Sequence, residues 1–218
     1  MKINSKLRQK FKKFFYLILN EFSNKFDNNF LKKISDILFI FSEKITLKLD
    51  YFLKYYISYY DDMIDKEIKL GSISRADSVV HIGCGSIPAS SILIAKKTGA
   101  KIVGIDKDKK TVKNAKGCIK KLNLSDKIQI ENVDALDFSF DNYDIILVAH
   151  GISPINKFLK YLSGRISKKA IIIFRTLSDD SGNLSKSDEI LCELFNIEKI
   201  VRHEKQGKVI SVKLSNKN

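Results

Sequence analysis

Apolar residues recur at helical spacing through the first third of the chain. From Lys6 to Lys69 there is no glycine or proline, and large apolar side chains return every three or four positions. The clearest of them are Phe11, Phe15, Ile18 and Phe22, followed by Ile34, Leu38, Phe41 and Ile45. The pattern predicts helices that break near Asn28 and Asn29, and a third helix that begins at about Asp50 and carries an aromatic run.

After Gly71 the pattern changes to short apolar runs that alternate with stretches of helical spacing. Such alternation is typical of β-α-β units in a mostly parallel sheet. The predicted strands are Ser78–Ile82, Lys101–Ile105, Ile128–Asn132, Tyr143–Val148 and Ala170–Phe174, with a late pair near Ile197–His203 and Lys208–Leu214. The predicted helices lie near Pro88–Thr98, Lys109–Leu122, Lys157–Leu162 and Ser187–Leu194. The sequence therefore predicts an α/β domain over residues 71–218, with a seven-stranded sheet that ends in an antiparallel hairpin, preceded by a small all-helical cap over residues 1–70.

The composition is that of a globular protein. Hydrophobic residues make up 44% and charged residues 29% of the 218 residues, which argues against disorder and against a fibrous protein. The three cysteines, Cys84, Cys118 and Cys192, are far apart and odd in number, so they suit neither a zinc site nor a disulfide framework. No apolar stretch reaches the roughly 18 residues of a membrane span, and no signal peptide is visible. We therefore expect a cytoplasmic protein without a transmembrane segment.

The net charge of +14 raises the question of a polyanionic partner, either RNA or a membrane surface. The lysines are scattered along the whole chain, which is more typical of solvated helix faces than of a dedicated nucleic-acid surface. The first helix carries several lysines beside Phe11, Phe14 and Phe15. Its two alternatives are contact with an anionic membrane surface and packing on the core of the protein itself. The sequence does not predict the oligomeric state.

A glycine turn follows the first predicted strand. Gly83 and Gly85 permit a tight bend and leave no side chain in the way of a nucleotide ligand. Cys84 between them is placed to touch that ligand, but without a neighbouring base it suits packing better than nucleophilic attack. Pro88 replaces the third glycine of a dinucleotide site and suits the first turn of a helix. We expect these four residues to contact the ligand.

Two aspartates follow the next strands. Asp106 ends the second strand about 20 residues after the glycine turn, where a carboxylate accepts hydrogen bonds from both ribose hydroxyls. Asp134 and Ala135 come after the third strand, where such folds commonly hold the adenine amino group. For Asp134 the alternative is a loop aspartate that caps a turn. Together with the glycine turn, these residues predict an adenosyl ligand.

As a set, the glycine turn, Asp106, the segment 133–135 and the strand at Tyr143–Leu147 resemble the Rossmann-like transferases that use S-adenosylmethionine (SAM), over about Ser78 to Leu214. The resemblance implies the Rossmann-like SAM-dependent methyltransferase fold, with SAM as a substrate. The missing third glycine and the terminal hairpin favour SAM over NAD.

A narrower stretch, Ile82–Ile92 with the sequence IGCGSIPASSI, resembles the IGSGPLPLTSI segment of the nicotianamine synthases and their archaeal relatives. Tyr55–Tyr56, Ile146–Ala149 and Ile173–Thr176 agree as well, whereas the family's first proline is Ser86 here, its LYP segment is missing and the cap is shorter. The resemblance implies transfer of the aminocarboxypropyl group of SAM onto an amine or amino acid, giving a small metal-chelating aminocarboxylate of the kind made in metallophore biosynthesis. The alternatives are a SAM-dependent methyltransferase of a small molecule or RNA, and a non-catalytic basic module on the same fold.

The same resemblance implies catalytic groups in the cap, namely a glutamate and a tyrosine that take the proton of the attacking amine. The candidates are Tyr56 and Glu43, with Tyr59 and Glu67 as alternates. The structural interpretation of these residues is an aromatic helix face packed on the sheet and a solvated glutamate. No cluster of metal-ligating residues is visible, so we expect no metal requirement.

Two further candidates stand at the ends of later strands. His150 follows the fourth strand, at the edge where open α/β sheets bind ligands, and is suited to act as a base near neutral pH. Arg175 is expected just after the fifth strand, where paired hydrogen bonds would hold a carboxylate of SAM or of the substrate. His81 in the first strand is expected to be structural, and His203 is expected to lie in the terminal hairpin.

Overall fold

The computed structural model describes residues 50–185 and 188–217. Two helices, α1 (Asp50–Tyr59) and α2 (Asp61–Gly71), precede the sheet. The strands are β1 (Ser78–Ile82), β2 (Lys101–Asp106), β3 (Ile128–Asn132), β4 (Ile145–Val148), β5 (Ile171–Leu177), β6 (Phe195–Arg202) and β7 (Val209–Asn216). The later helices are α3 (Ala89–Thr98), α4 (Lys109–Lys121), α5 (Ile155–Ser163) and α6 (Glu189–Leu194), and a 3₁₀ turn at Glu204–Gln206 joins β6 to β7. The candidate Glu43 and the first two predicted helices lie outside the described residues.

The seven strands form one sheet in the order β3-β2-β1-β4-β5-β7-β6. Strands β1 to β5 are parallel, and β7 runs antiparallel between β5 and β6. This confirms the predicted α/β Rossmann-like fold with its terminal hairpin. The chain direction across the sheet reverses between β1 and β4, and open α/β sheets bind ligands outside the carboxyl ends of the strands at such a switch point.

The fifth strand is longer than predicted, and the difference changes the position of one candidate residue. It runs to Leu177 because β7 pairs with it from Ile172 to Leu177, with Arg175 opposite Ser211. The prediction that Arg175 follows the strand is therefore wrong, since Arg175 lies inside it. A smaller difference is at β4, which begins at Ile145 and not at Tyr143 as predicted. Just before it, the carboxylate of Asp144 accepts the backbone N–H of Ser78 at 2.8 Å.

Helices cover both faces of the sheet. Helices α1 to α4 share one hydrophobic cluster with the sheet, and α5 and α6 share the other. The aromatic face of α1 packs inward, as the structural interpretation expected, with Phe52, Leu53, Tyr56 and Ile57 buried. Residues 50–71 thus contribute to the same core as the sheet. The boundary between cap and domain at residue 70 stays a prediction. In the described ranges no helix is both long enough and apolar enough to cross a membrane.

Candidate active site

The glycine turn leaves β1 with its backbone in a conformation that other residues adopt only at a cost. Gly83 and Gly85 both have a φ of 71°. The N–H groups of Gly83 and Cys84 donate to the carbonyl of Ile105 at 2.9 and 3.1 Å, which anchors the turn to β2. A Cβ added to Gly85 would meet no other atom within 4 Å. The turn therefore borders open space, which a ligand can occupy.

Asp106 holds the other side of this turn. Its Oδ2 accepts the N–H of Gly85 at 3.2 Å, and its Oδ1 accepts the N–H of Asp108 at 3.1 Å. These bonds fix the carboxylate beside the turn. Each carboxylate oxygen has two acceptor positions, so both oxygens remain able to accept a ribose hydroxyl.

A first cavity of about 270 Å³ opens at the carboxyl ends of β1 to β4. Five of the predicted site residues line it: Gly83, Asp106, Asp134, Ala135 and His150. The sequence analysis missed Lys107, Ile152 and Ser153, which also line it and whose only signal was their position after predicted strands. We refer to this space as the adenosyl cavity, after the ligand that the sequence predicts for it.

Asp134 has one of the two roles that the sequence left open, since it caps a turn. Its Oδ1 accepts the N–H of Leu136 at 3.0 Å, so the carboxylate caps a turn. The residue also lines the adenosyl cavity, next to Ala135. The turn thus holds the aspartate in the cavity wall, and its contact with an adenine stays a prediction.

A second cavity of about 340 Å³ adjoins the first and shares Gly83 and His150 with it. Three further predicted binding residues, Cys84, Gly85 and Arg175, line this second cavity, as do Tyr56 and Tyr59 of α1. We refer to it as the head-group cavity, because Arg175 was predicted to hold a carboxylate of SAM or of the substrate. Sequence reasoning had assigned no role here to Gln206, and had expected His81 to be structural, yet both are in the wall. Pro88 lines neither cavity; it directly precedes α3, and its carbonyl accepts the N–H of Ile92.

Arg175 is fixed by a buried ion pair with Glu67. Its Nε and Nη2 donate to the two carboxylate oxygens of Glu67 at 2.7 and 2.6 Å, and Nη2 also donates to Oγ of Ser90 at 2.9 Å. Glu67 is fully buried and does not line the head-group cavity. The paired donors that were expected to hold a ligand carboxylate are therefore used within the protein. Nη1 takes no part in these bonds, and Arg175 reaches the cavity wall.

The ion pair extends into a buried hydrogen-bonded chain. Oγ of Ser211 donates to Oε1 of Glu67 at 2.6 Å, and Nε2 of His203 lies 2.8 Å from the same hydroxyl. A carboxylate only accepts, and a serine hydroxyl has one hydrogen, so the hydroxyl must accept from His203. Nε2 of His203 therefore carries a proton, and burial, which lowers the pKa of this residue, favours its neutral form. The residue lies between β6 and β7, in the terminal hairpin as predicted from the sequence.

Cys84 is a packing residue in this structure. Burial, followed by the charge of Asp106, raises the pKa of its thiol to about 12. The thiolate is therefore scarce at neutral pH, and a nucleophilic role is not supported. Within residues 50–185 and 188–217, no group of three or more histidine, cysteine or acidic side chains is arranged to hold a metal ion.

We expect the protein to lose stability as the pH falls below about 6.5, because His81 and His203 are buried. Burial, with the nearby Arg175 cation, lowers the pKa of His81 to about 3, whereas an unfolded histidine titrates near 6.5. Between these values the unfolded chain binds more protons, so the free energy of unfolding decreases with decreasing pH, by up to about 1.4 kcal/mol per pH unit for His81. His203, whose pKa is also lowered, adds a contribution of the same sign. Urea unfolding at intervals from pH 7 to pH 5 measures this slope.

The variant His81→Asn is the matched control for that slope, because its side chain retains a polar group near Oγ of Ser91, which lies 2.8 Å from Nδ1 of His81. Its stability at pH 7 is expected to fall, but its slope between pH 6.5 and 5 should be smaller than that of the wild type by up to about 1.4 kcal/mol per pH unit. An unchanged slope in this variant would mean that His81 does not carry the effect.

The sequence matches the family described as "Methyltransferase domain" over residues 73–215. A comparison with curated protein sequences finds no match. The matched region begins just after α2 and contains the sheet up to the next-to-last residue of β7.

Several solved structures share the fold. MtNAS in complex with MTA and tNA has a TM-score of 0.68 at 18% identity, with 80% of this chain and 68% of that chain covered. A glutamate-to-glutamine variant of MtNAS in complex with S-adenosylmethionine has a TM-score of 0.73 at 16% identity, over 98% of this chain and 80% of that chain. An S-adenosylmethionine-dependent methyltransferase from Methanococcus maripaludis has a TM-score of 0.62 at 16% identity, over 81% and 92% of the two chains. At these identities the likeness shows the fold.

Proposed function

The chain belongs to the methyltransferase-domain family and is a SAM-dependent transferase; on that premise we propose that it transfers the aminocarboxypropyl group of SAM to the amine of a small amino-acid substrate. The product would be a small metal-chelating aminocarboxylate. The observation that carries this proposal is the head-group cavity, which joins the adenosyl cavity at Gly83 and His150. Tyrosines of α1 and the guanidinium of Arg175 lie in its wall.

The two cavities fit the two ends of SAM. The adenosyl cavity offers the carboxylates of Asp106 and Asp134, which suit a ribose and an adenine amino group. The glycine turn lets a ligand come close to the backbone where the cavities meet, because a Cβ on Gly85 would project into open space and the glycine leaves that space free. When bound, SAM supplies a sulfonium whose neighbouring carbons are electrophilic. The arginine in the second cavity suits the carboxylate of the aminocarboxypropyl group or of the acceptor.

The reaction requires a base on the protein. The amine forms a C–N bond as the C–S bond breaks, the electron pair leaves on the sulfur of methylthioadenosine, and the proton of the amine must be removed. We infer that His150 or Tyr56 receives that proton, because His150 lies where the cavities meet and Tyr56 lines the second cavity. Glu43 stays a prediction. Glu67 acts as a positioning residue, since it holds Arg175 and does not line the cavity.

The structural likeness to MtNAS supports this proposal. That protein was solved with MTA and tNA, and a variant of it with S-adenosylmethionine. MTA is the usual abbreviation of methylthioadenosine, the by-product expected from aminocarboxypropyl transfer. Methyl transfer is the competing candidate, and the family description and the methyltransferase from Methanococcus maripaludis favour it.

The by-product distinguishes the two candidates. With SAM and a pool of amino acids and small amines, we expect the wild-type protein to release methylthioadenosine, which chromatography separates from S-adenosylhomocysteine. The variant Asp106→Ala serves as the control for breakdown of SAM in solution, because it should form neither by-product above the background. Release of S-adenosylhomocysteine without methylthioadenosine would reject aminocarboxypropyl transfer and establish methyl transfer.

A further inference from the structure

The wall of the head-group cavity contains two buried polar atoms without a hydrogen-bond partner among the described residues. They are Oε1 of Gln206 and Nε2 of His81. Both residues line the cavity, and they are only 5% and 3% exposed. Folded proteins leave few buried polar atoms unsatisfied, because the lost hydration is not replaced. Two such atoms in one wall indicate a polar ligand in this cavity.

The orientation of the Gln206 amide is set by its other end. Nε2 donates to the backbone carbonyl of Tyr59 at 2.8 Å, so the amide nitrogen is occupied and the oxygen is the remaining acceptor. The 3₁₀ turn that carries Gln206 is held further by Oη of Tyr59, which donates to the carbonyl of Lys205 at 2.9 Å. Helix α1 and the β6–β7 connection thus hold the side chain of Gln206, a residue that lines the cavity.

The polar groups of the wall match the two ends of an α-amino acid. Arg175 supplies a cation whose Nη1 is outside its bonds to Glu67 and Ser90, which suits a carboxylate. Gln206 supplies an oxygen that only accepts, which suits an ammonium group. His81 is neutral at physiological pH, since burial lowers its pKa to about 3, so it does not repel an ammonium group.

We propose that Gln206 is a specificity-determining residue that accepts a hydrogen bond from the ammonium group of an α-amino-acid head group, while Arg175 pairs with its carboxylate. The inference rests on the proposed function, because the head group belongs either to SAM or to an amino-acid acceptor. Both sources present the same ammonium and carboxylate. Neither Gln206 nor the hairpin turn was marked by any sequence motif.

A pair of variants separates recognition from structural support. Gln206→Met has a similar length but lacks both the acceptor and the donor to Tyr59. Gln206→Glu also lacks that donor but keeps an acceptor oxygen. Isothermal calorimetry is run with SAM and with methylthioadenosine, which lacks the head group. The twenty standard L-amino acids are then titrated against protein saturated with methylthioadenosine.

If SAM is the source, Gln206→Met should bind SAM about tenfold more weakly and methylthioadenosine as the wild type does. If the acceptor is the source, SAM binding should persist and amino-acid binding to the loaded protein should fall by the same factor. In both cases Gln206→Glu should stay within about threefold of the wild type. The proposal is overturned if Gln206→Met leaves SAM and amino-acid binding unchanged, if it weakens methylthioadenosine equally, or if Gln206→Glu loses as much as Gln206→Met.

These binding results are independent of which carbon of SAM is transferred. If the by-product is S-adenosylhomocysteine while Gln206→Met still discriminates SAM from methylthioadenosine, aminocarboxypropyl transfer fails and the head-group site stands. If methylthioadenosine is released and the two Gln206 variants behave alike, the proposed function stands and the specificity role fails.

Discussion

The variant Asp106→Ala is expected to bind SAM at least about 100-fold more weakly than the wild type, because hydrogen bonds to a charged group contribute roughly 1.5–3 kcal/mol each and a ribose makes two. The carboxylate also holds the glycine turn, since it accepts the N–H of Gly85 at 3.2 Å. Its removal therefore takes away a ligand contact and a support of the backbone that faces the ligand. Calorimetric titration with SAM measures the loss directly.

A matched control is Asp180→Ala, which removes an aspartate that pairs with Lys208 and whose side chain is 95% exposed. Exposed surface pairs of this kind contribute little to stability, and Asp180 lines neither cavity, so SAM binding should be unchanged. Circular dichroism of both variants should match the wild type. Binding by Asp106→Ala within threefold of the wild type would remove the basis for the adenosyl site.

The meeting of Gly83, Asp106 and Asp134 at one cavity could be predicted because their positions are determined locally. The glycine turn and Asp106 each stand at the carboxyl end of a predicted strand, and adjacent parallel strands bring such ends together at one edge. The structure places Gly83, Asp106 and Asp134 around one cavity. Alternating apolar runs were sufficient to predict the sheet, since strand and helix periods differ.

The head-group side could not be predicted, because its contacts join distant parts of the chain. Arg175 and Glu67 are 108 residues apart, and Gln206 is 147 residues from the carbonyl of Tyr59 that it binds. These contacts depend on the insertion of β7 between β5 and β6, which places Ser211 opposite Arg175. No periodicity within a single element encodes that pairing.

Arg175 shows why a residue type at a sheet edge does not define its role. The sequence analysis expected its paired donors to hold a ligand carboxylate, but Glu67 accepts them. A guanidinium that is only 7% exposed needs a counter-ion within the protein, because an isolated buried charge is strongly disfavoured. Of the guanidinium nitrogens, only Nη1 is therefore left to donate to a ligand.

We expect Glu67→Gln to lower the free energy of unfolding by about 3–5 kcal/mol, because it leaves the guanidinium of Arg175 buried without its counter-ion. The side chain keeps its size, so loss of packing does not account for the effect. Denaturation by urea, monitored by circular dichroism, measures the change. The control is Glu198→Gln, which breaks the partly exposed pair with Lys213 and should cost less than about 1 kcal/mol.

The double variant Glu67→Met with Arg175→Met separates the stability of this pair from its function. Replacing both members of a buried ion pair with apolar residues is often neutral or stabilising, so the double variant should recover most of the stability that Glu67→Gln loses. It should nevertheless bind SAM or the amino-acid acceptor poorly, since the cation of the head-group cavity is gone. If Glu67→Gln lowers the free energy of unfolding no more than Glu198→Gln does, the buried pair does not position Arg175. The inference of a fixed cation in the head-group cavity would then be rejected.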